Sequence, residues 1–299
     1  MSSTLIRALA IAALFTTGSA QAFVIDGNLN DWGVKNNGTA AGLAPDAGVK
    51  AHTLEDQHGS NYLNPGYGNQ AYDAEAMYVA WDANQLYIGI MTGHSPLTLN
   101  KPSANSYGAG DIAIDFGING HFDYGIELLG GATTTRGHVY SGVNWAVGLF
   151  RSNGSWTGYY DPGLAANRAQ ADSTHPTSIL SGTDIGTGTV AYTTVGQANY
   201  GAWPGDLHYF YEVSVPLSLF GADWASGGNF RVHWSQNCAN DSIWVDATAT
   251  RLSMDTIGTV PEPGTLALLP LGMLGLMALR RNKPSTSRQH APTTAADLA

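Results

Sequence analysis

The feature that most constrains the fold is an alternation of apolar and polar side chains in short stretches between residues 23 and 259. The stretches are separated by Gly, Asn, Asp and Pro, and no long segment repeats its apolar residues with the helical period of about 3.6. A period of two is typical of strands that bury one face. The sequence therefore predicts an all-β domain over residues 23–259.

The clearest example is a predicted hairpin. In residues 77–82 and 86–90 the apolar side chains fall on one face, and the turn 83–85 separates the two stretches. Further alternating stretches cover residues 111–116, 209–215 and 230–234. Half-buried antiparallel strands usually pack as two facing sheets. We therefore expect an antiparallel two-sheet β-sandwich.

The region from residue 152 to residue 199 lacks this alternation. It is richer in Gly, Ser, Thr and Asn than the rest of the domain and shows no hydrophobic period. Such a composition is typical of connecting segments on the protein surface. We expect long surface loops here, with one strand at residues 189–194.

Charge and cysteine content exclude several classes of protein. The chain has 13 Lys and Arg against 23 Asp and Glu, and several of the basic residues lie at its two ends. Nucleic-acid affinity comes largely from neutralising phosphates with Lys and Arg, and basic segments attract anionic membranes, so neither partner is expected for the domain. The single cysteine, Cys238, excludes an intramolecular disulfide and every Cys-rich metal site.

Residues 1–22 have the layout of a secretory signal peptide. Arg7 precedes an apolar run over residues 8–15, and the segment ends in Ala20-Gln21-Ala22, which is an A-x-A cleavage pattern. The apolar run is too short to span a bilayer. We expect the mature chain to begin at Phe23; the alternative is an N-terminal helix of the fold.

A second targeting segment is predicted near the other end of the sequence. An uncharged, mostly apolar run covers residues 263–279, and Arg280, Arg281 and Lys283 follow it directly. A helix over this run would be roughly 26 Å long, close to the thickness of the hydrocarbon core. A basic cluster in this place stays on the cytoplasmic side. The run therefore predicts a transmembrane helix behind an exported domain, with a buried core helix as the alternative.

The residues that open this run are Pro261, Glu262 and Pro263. With the apolar segment and the pair Arg280 and Arg281, they resemble the PEP-CTERM sorting signal of Gram-negative bacteria over residues 260–283. The resemblance implies that an exosortase cleaves the precursor while it is held in the inner membrane, and that the product reaches the cell surface or the extracellular space. Species with such signals commonly make extracellular polysaccharide. Residues 284–299 extend beyond the usual end of the signal, and their composition predicts a disordered tail.

The middle of the chain carries a second resemblance. Its segments are IDGNLNDW at 25–32, YVAWD at 78–82 with LYIGI at 86–90, GDIAIDF at 110–116 and YEVSVP at 211–216. In this order they are similar to family-9 carbohydrate-binding modules and the related DOMON sandwiches. The resemblance implies a β-sandwich and, less specifically, carbohydrate binding, because related sandwiches have other ligands. Residues 233–241 also resemble a stretch common near the end of PEP-CTERM surface proteins.

Carbohydrate recognition needs flat aromatic side chains beside hydrogen-bonding groups, since a sugar ring has apolar faces and hydroxyl edges. The chain has 8 Trp and 14 Tyr. We predict as stacking residues those in or near segments rich in Gly, Asn and Asp, which are Trp145, Trp156, Tyr159, Tyr160 and Trp203. The alternative for each is a packing role at the ends of the sandwich core.

No catalytic residues are predicted. A glycosidase uses two carboxyl groups about 5 to 10 Å apart. Asp111 and Asp115 share a strand face but lie roughly 13 Å apart at about 3.3 Å per residue, and Asp123 and Glu127 fail in the same way. A pair across two strands stays open, although solvated strand faces explain these acids more simply.

One metal site is a further expectation. Asp26, Asn28 and Asp31 surround a turn, and hard oxygen ligands of this kind can hold calcium, although Asx residues are also common in plain turns. No other cofactor is expected. The sequence thus predicts a non-enzymatic exported protein that binds or organises extracellular polysaccharide. The alternatives are a polysaccharide-processing enzyme on the same sandwich and a purely structural matrix protein.

Overall fold

The structure is a computed structural model that describes residues 23–58, 69–148 and 176–249. The five-stranded sheet has the order β1 (Ala51–Leu54), β2 (Ala74–Trp81), β3 (Gln85–Thr92), β9 (Tyr209–Pro216), β8 (Thr189–Tyr192). The six-stranded sheet has the order β11 (Ser242–Ala249), β10 (Gly228–Ser235), β4 (Ile112–Phe116), β5 (Tyr124–Ile126), β6 (His138–Val147), β7 (Pro176–Thr187). Every pairing is antiparallel.

The helical elements of the described residues are short. The α-helix α1 (Gly221–Ala225) follows β9. The 3₁₀ helices are Asn30–Trp32, Ala40–Leu43, Asn69–Tyr72, Pro102–Ala104 and Leu217–Phe220. The predicted class, an antiparallel two-sheet β-sandwich, is therefore confirmed at the level of its two sheets.

The main core lies between the two sheets. Alternate residues of β2 and β3, among them Val79, Leu86 and Ile88, pack in it with Ile114 and Val232 from the facing sheet. The predicted hairpin is present, with Trp81 opposite Leu86 beside its turn. Aromatic rings close one side of this core at centroid distances from 5.5 to 6.4 Å; they are Trp81, Phe116, Trp224 and Phe230.

A third layer covers the outer face of the five-stranded sheet. Side chains of the N-terminal segment, including Leu29 and Trp32, form a second core with Tyr78 and Met91 from that outer face. Gly89 of β3 permits this contact, because a Cβ atom there would lie 2.9 Å from a methyl carbon of Leu29. The expectation of half-buried strands is wrong for β2 and β3, since both of their faces are buried.

The expectation of loops over residues 152–199 is corrected in part. Residues 176–187 form β7, and the strand expected at residues 189–194 is β8, Thr189–Tyr192. β7 is an edge strand that pairs with β6 alone, through several register shifts, and its second half is largely exposed. A strand of this kind buries no regular face, so it leaves no alternation in the sequence.

Several predicted segments lie outside the described residues. They are the signal peptide at 1–22, the expected loops over 152–175, the sorting signal at 260–283 with its membrane span at 263–279, and the tail at 284–299. Within the ranges that the structure describes, no helix has the length and apolarity needed to cross a membrane. The membrane span and the disordered tail stay predictions.

Candidate functional site

The N-terminal layer is held by one buried carboxyl group, that of Glu212 in β9. Its Oε2 accepts hydrogen bonds from the backbone amides of Asp26, Gly27 and Asn28 at 3.0, 2.5 and 2.8 Å. Its Oε1 accepts one from the indole nitrogen of Trp32 at 2.8 Å. Burial raises the pKa of Glu212 to about 7, although these donors act in the opposite direction. Two of the segments that resemble carbohydrate-binding modules, 25–32 and 211–216, therefore meet at a structural contact.

The oxygens of the predicted calcium site take part in turn hydrogen bonds. Asp26 Oδ1 accepts from the amide of Asn28 at 2.9 Å, and Asn28 Oδ1 accepts from the amide of Asn30 at 3.0 Å. Asp31 Oδ2 accepts from the amide of Val24 at 2.7 Å. Over the described ranges, no group of three or more His, Cys, Asp or Glu side chains could hold a metal ion. Calcium at this turn stays a prediction.

A cluster of buried ionisable groups, here called the carboxyl cluster, lies at one end of the five-stranded sheet. β1 and β3 end there, and β2 and β9 begin there. Its members are Glu55, Asp73, Glu75, His94, His208 and Asp241. Asp73, Glu75, His94 and His208 are each 1% exposed. Sequence patterns do not predict this cluster, because its members come from five segments that lie far apart in the chain.

Hydrogen bonds hold the carboxyl cluster together. Asp241 Oδ2 accepts from the amide of Ala74 at 2.6 Å, and the side chains of Asp73 and Asp241 share a hydrogen bond. Glu75 Oε1 lies 3.4 Å from His208 Nε2. Asp73 Oδ1, Glu75 Oε2 and His208 Nδ1 have no hydrogen-bond partner among the described residues. Buried polar atoms without partners are uncommon in folded proteins.

The pKa values in the carboxyl cluster move towards the neutral forms. Burial, helped by the charge of Glu75, raises the pKa of Glu55 to about 7 and that of Asp73 to about 10. Burial also lowers the pKa of His94 to about 4. At neutral pH Asp73 is therefore protonated, and it can donate a hydrogen bond to Asp241.

Of the strand carboxylates predicted to be solvated, Asp111, Asp115 and Glu127 are buried, and Asp123 is half-buried. Asp111 accepts from the amides of Leu128 at 3.0 Å and Ile179 at 2.8 Å, and it shares a hydrogen bond with Glu127. Asp115 is fully buried, and its two oxygens accept amides of the following turn. The expectation fails because backbone amides from other strands and turns use these carboxylates as acceptors. Such partners leave no local sequence signal.

The distances within the buried carboxyl pairs can be compared with the separation that glycosidases use. Asp111 with Glu127, and Asp73 with Asp241, each share a hydrogen bond. Carboxyl groups at hydrogen-bond distance lie closer than the separation of about 5 to 10 Å that glycosidases use. These pairs are also buried, so a polysaccharide chain cannot lie between their members.

Trp203, a predicted stacking residue, lies on the surface in the loop between β8 and β9. It is 43% exposed, and its ring stacks on the His58 ring with the centroids 4.4 Å apart and the planes 23° apart. His58 Nδ1 lies 3.2 Å from Asp206 Oδ2, and the carboxylate of Asp56 accepts the amide of Ala202 at 2.9 Å. The indole of Trp203 is thus an exposed plane that is held in place, and carboxylates lie beside it.

Trp145, also predicted to stack on a sugar, lies in β6. It is partly buried, and its ring meets that of Phe122 edge to face at 6.5 Å. A Cβ atom on Gly125 would lie 2.8 Å from Cη2 of Trp145, which shows how closely the indole covers the six-stranded sheet. Trp145 therefore lies in the six-stranded sheet, whereas Trp203 lies in a loop that connects two strands of the five-stranded sheet. The other predicted residues, Trp156, Tyr159 and Tyr160, lie outside the described residues.

The sequence analysis missed an exposed aromatic residue, Trp244 in β11. It is 41% exposed, and the guanidinium carbon of Arg231 lies 5.5 Å from the centroid of its ring. Arg231 donates to both carboxylate oxygens of Asp246, at 2.6 and 2.8 Å. The alternation over residues 243–249, with Val245 inward and Trp244 and Asp246 outward, is the signal that predicts this strand.

Residues 236–241 connect β10 to β11 and close the carboxyl cluster. Gln236 Oε1 accepts the amide of Asp241 at 3.1 Å, and Gln236 Nε2 donates to the carbonyl of Tyr72 at 3.3 Å. Cys238 is 2% exposed, and burial raises its pKa to about 12. Through Tyr72 and Ala74, this connection of the six-stranded sheet thus contacts the start of β2 in the five-stranded sheet.

Comparison with known proteins gives one match. The family model of the PEP-CTERM protein-sorting motif matches residues 259–282. This motif indicates a protein that is exported and sorted to the cell surface by an exosortase, as Pro261, Glu262, Pro263, Arg280 and Arg281 predict. No curated protein matches the chain.

Proposed function

We propose that the exported domain is a non-catalytic module that binds extracellular polysaccharide, with Trp203 as a stacking residue. The observation that carries this proposal is the exposed indole of Trp203, which is held in place by the ring of His58. A preorganised aromatic plane binds the apolar face of a sugar without first losing conformational freedom. Asp56 and Asp206, beside this plane, accept hydrogen bonds from sugar hydroxyl groups.

The charge of the chain favours an uncharged polysaccharide. The formal net charge is −10, and the carboxylates of Asp56 and Asp206 flank the stacking surface. Like charges that meet in an interface are costly, so an acidic polysaccharide is disfavoured here. The ligand that we propose is a neutral chain.

A non-catalytic role is supported by the arrangement of the carboxyl groups. Near Trp203, Asp56 accepts a backbone amide and Asp206 lies against His58. The two close carboxyl pairs of the described residues are buried inside the sandwich. The alternative of a polysaccharide-processing enzyme would need Asp56 and Asp206 to act as acid and base on a sugar at Trp203, whereas each already has a partner in this region.

Sorting gives this module its place of action. We propose that the inner membrane holds the precursor through residues 263–279 and that the exosortase then cleaves near Pro261, Glu262 and Pro263. A chain without residues 263–279 should appear in the medium without a period of membrane association, as followed by cell fractionation. A deletion variant that stays in the membrane fraction would contradict this order of events.

The polysaccharide proposal is tested with the mature protein released by the producing strain and the neutral exopolysaccharide of that strain. Binding is measured by affinity electrophoresis, with and without a calcium chelator. Trp203→Ala should weaken binding at least about tenfold, because exposed aromatic anchors dominate such interfaces. Val195→Ala, an exposed apolar position that is 68% accessible in the same loop, is the matched control and should bind as the natural protein does.

The outcomes separate the functions under consideration. Release of reducing sugar ends would favour the enzyme. An absence of binding would favour a structural matrix protein. Loss of binding with the chelator would support calcium at Asp26, Asn28 and Asp31.

A further inference from the structure

A second aromatic surface lies on the outer face of the six-stranded sheet. On the β10–β11 hairpin, Arg231 is opposite Asp246 and Asn229 is opposite Thr248. Trp244 precedes them on the same face of β11, two and four residues before Asp246 and Thr248. This face, here called the hairpin face, carries one large aromatic ring followed by two rows of polar side chains.

The hairpin face is held rigidly. Arg231 and Asp246 form a two-bond ion pair, and the Thr248 hydroxyl donates to Asn229 Oδ1 at 2.8 Å. The hydroxyl of Thr53 in β1 donates to the carbonyl of Trp244 at 2.6 Å. Sites on strands with locked side chains are more precise than sites on loops. The face is therefore preorganised for a flat ligand.

The charges of the hairpin face balance. Among the exposed side chains Arg231 is paired with Asp246, and Asn229 and Thr248 are uncharged. Asp115 of β4, which is opposite Arg231, is fully buried. An apolar plane beside balanced polar groups is complementary to a neutral sugar ring, which has an apolar face and hydroxyl edges. The same chemistry was inferred for Trp203.

The two aromatic surfaces lie on opposite faces of the sandwich. The loop of Trp203 packs on the N-terminal layer, where Asn36 Nδ2 donates to the Ala198 carbonyl at 2.9 Å and the Gly38 amide donates to the Asn199 carbonyl at 2.7 Å. That layer covers the outer face of the five-stranded sheet. Trp244 lies on the outer face of the other sheet, and packed sheets are about 10 Å apart. A polysaccharide segment lying on one face does not reach the other.

We propose that the hairpin face is a second binding surface for neutral polysaccharide, so that one domain cross-links two chain segments. This inference rests on the function proposed for Trp203 and deepens it, because a bivalent module organises a matrix while a monovalent one only coats it. Two sites on one rigid body also raise the affinity for a long polymer above that of either site.

The test uses the mature protein released by the producing strain and its neutral exopolysaccharide. Light scattering, measured over a series of protein-to-polysaccharide ratios, reports cross-linking, and affinity electrophoresis reports binding. The natural protein should give a scattering maximum at an intermediate ratio. Trp203→Ala and Trp244→Ala should each remove at least about nine-tenths of that maximum and yet still bind, whereas the double variant should not bind. These losses follow from removing one of two linked sites.

Two further variants control for folding and for general surface effects. Trp244→Tyr keeps an aromatic plane and should retain most of the scattering. Leu97→Ala changes another exposed apolar side chain, 62% accessible, and should leave both measurements unchanged. Equal melting temperatures for Trp244→Ala and Trp244→Tyr would show that lost scattering does not come from unfolding.

Each other outcome overturns the inference in a recognisable way. If Trp244→Ala scatters like the natural protein, the hairpin face binds no polysaccharide, and the function proposed for Trp203 still stands. If the natural protein sediments as a dimer that Trp244→Ala dissociates, the partner of this face is a second copy of the chain. If the natural protein does not bind the polysaccharide, the proposed function fails together with the inference.

Discussion

The two sheets of the sandwich differ in what covers their outer faces. The five-stranded sheet is covered by the N-terminal segment, which Glu212 holds through four hydrogen bonds. The β10–β11 hairpin of the six-stranded sheet keeps Trp244, Asp246 and Thr248 exposed. The comparison therefore sets a covered sheet, buried under the N-terminal segment, against an uncovered hairpin with exposed side chains along β11.

Replacing the carboxyl group that holds the N-terminal layer should lower the stability of the domain more than the other changes described below. Glu212→Ala leaves the amides of Asp26, Gly27 and Asn28 and the indole nitrogen of Trp32 without their acceptor. Buried donors without partners are costly, so the free energy of unfolding should fall by at least about 3 kcal/mol in urea denaturation.

The matched control for this variant is Asp246→Ala, which removes a carboxylate from the uncovered hairpin. An exposed ion pair contributes only about 0 to 1 kcal/mol. Equal losses of stability in the two variants would mean that Glu212 does not hold the layer.

The second prediction concerns the pH dependence of stability, which depends on carboxyl groups at the covered sheet. Glu55 and Glu212 have pKa values of about 7 in the folded protein, above the usual 4.5, and Asp73 has one of about 10. The folded state therefore binds protons more tightly than the unfolded state, and its stability is lost as the pH rises through these values. One such group shifted from 4.5 to about 7 corresponds to about 3 kcal/mol at most.

Urea denaturation at several pH values checks this prediction. The free energy of unfolding should be higher near pH 5 than near pH 8. Asp73→Asn, which cannot ionise, should flatten the part of the curve above neutral pH. A stability that rises steadily from pH 5 to pH 8 would contradict the prediction.

The sequence predicted the parts of the fold that depend on local pattern. The β2–β3 hairpin follows from the alternation over residues 77–90, and its inward side chains lie in the core. The burial of Tyr78 on the opposite face could not be predicted, because the residues that cover it, Leu29 and Trp32, are about fifty positions earlier in the chain. Coverage of a sheet by a remote segment leaves no periodicity.

The candidate site shows the same limit. Trp203 was predictable, because a large aromatic residue in a Gly-rich and Pro-rich loop has little core to join. Trp145 looks similar in sequence but lies in β6, and its edge-to-face contact with Phe122 could not be predicted from the sequence. Asp111 occupies an outward position in an alternating strand, yet its acceptor role depends on the amides of Leu128 and Ile179 in other segments.

A smaller effect is expected from crowding the contact between the layer and its sheet. In Gly89→Ala the new Cβ atom would lie 2.9 Å from Leu29 Cδ2 and 3.3 Å from the indole of Trp32. Overpacking of this kind costs about 1 to 3 kcal/mol, which should appear as a lower melting temperature. Gly205→Ala, where no atom lies within 4 Å of the added Cβ, is the control. A Gly89→Ala protein as stable as the control would mean that the layer is loosely packed.

The smallest effect on stability is expected on the uncovered hairpin. Arg231→Ala removes the ion pair with Asp246 and the contact over the Trp244 ring. Because these groups are exposed, the free energy of unfolding should change by less than about 1 kcal/mol in urea denaturation. A loss of 3 kcal/mol or more, as for Glu212→Ala, would erase the contrast between the two sheets.

The position of Glu212 in the chain has a consequence for the order of folding. The residues that it anchors are 180 to 186 positions earlier, so the earliest-synthesised part of the domain gains its partner almost last. Contacts between distant residues slow folding, because a long loop must close before they form. A chain that crosses a membrane from its N-terminus would therefore stay incompletely folded until most of the domain had passed through. The docking of residues 25–32 would then complete its folding on the far side.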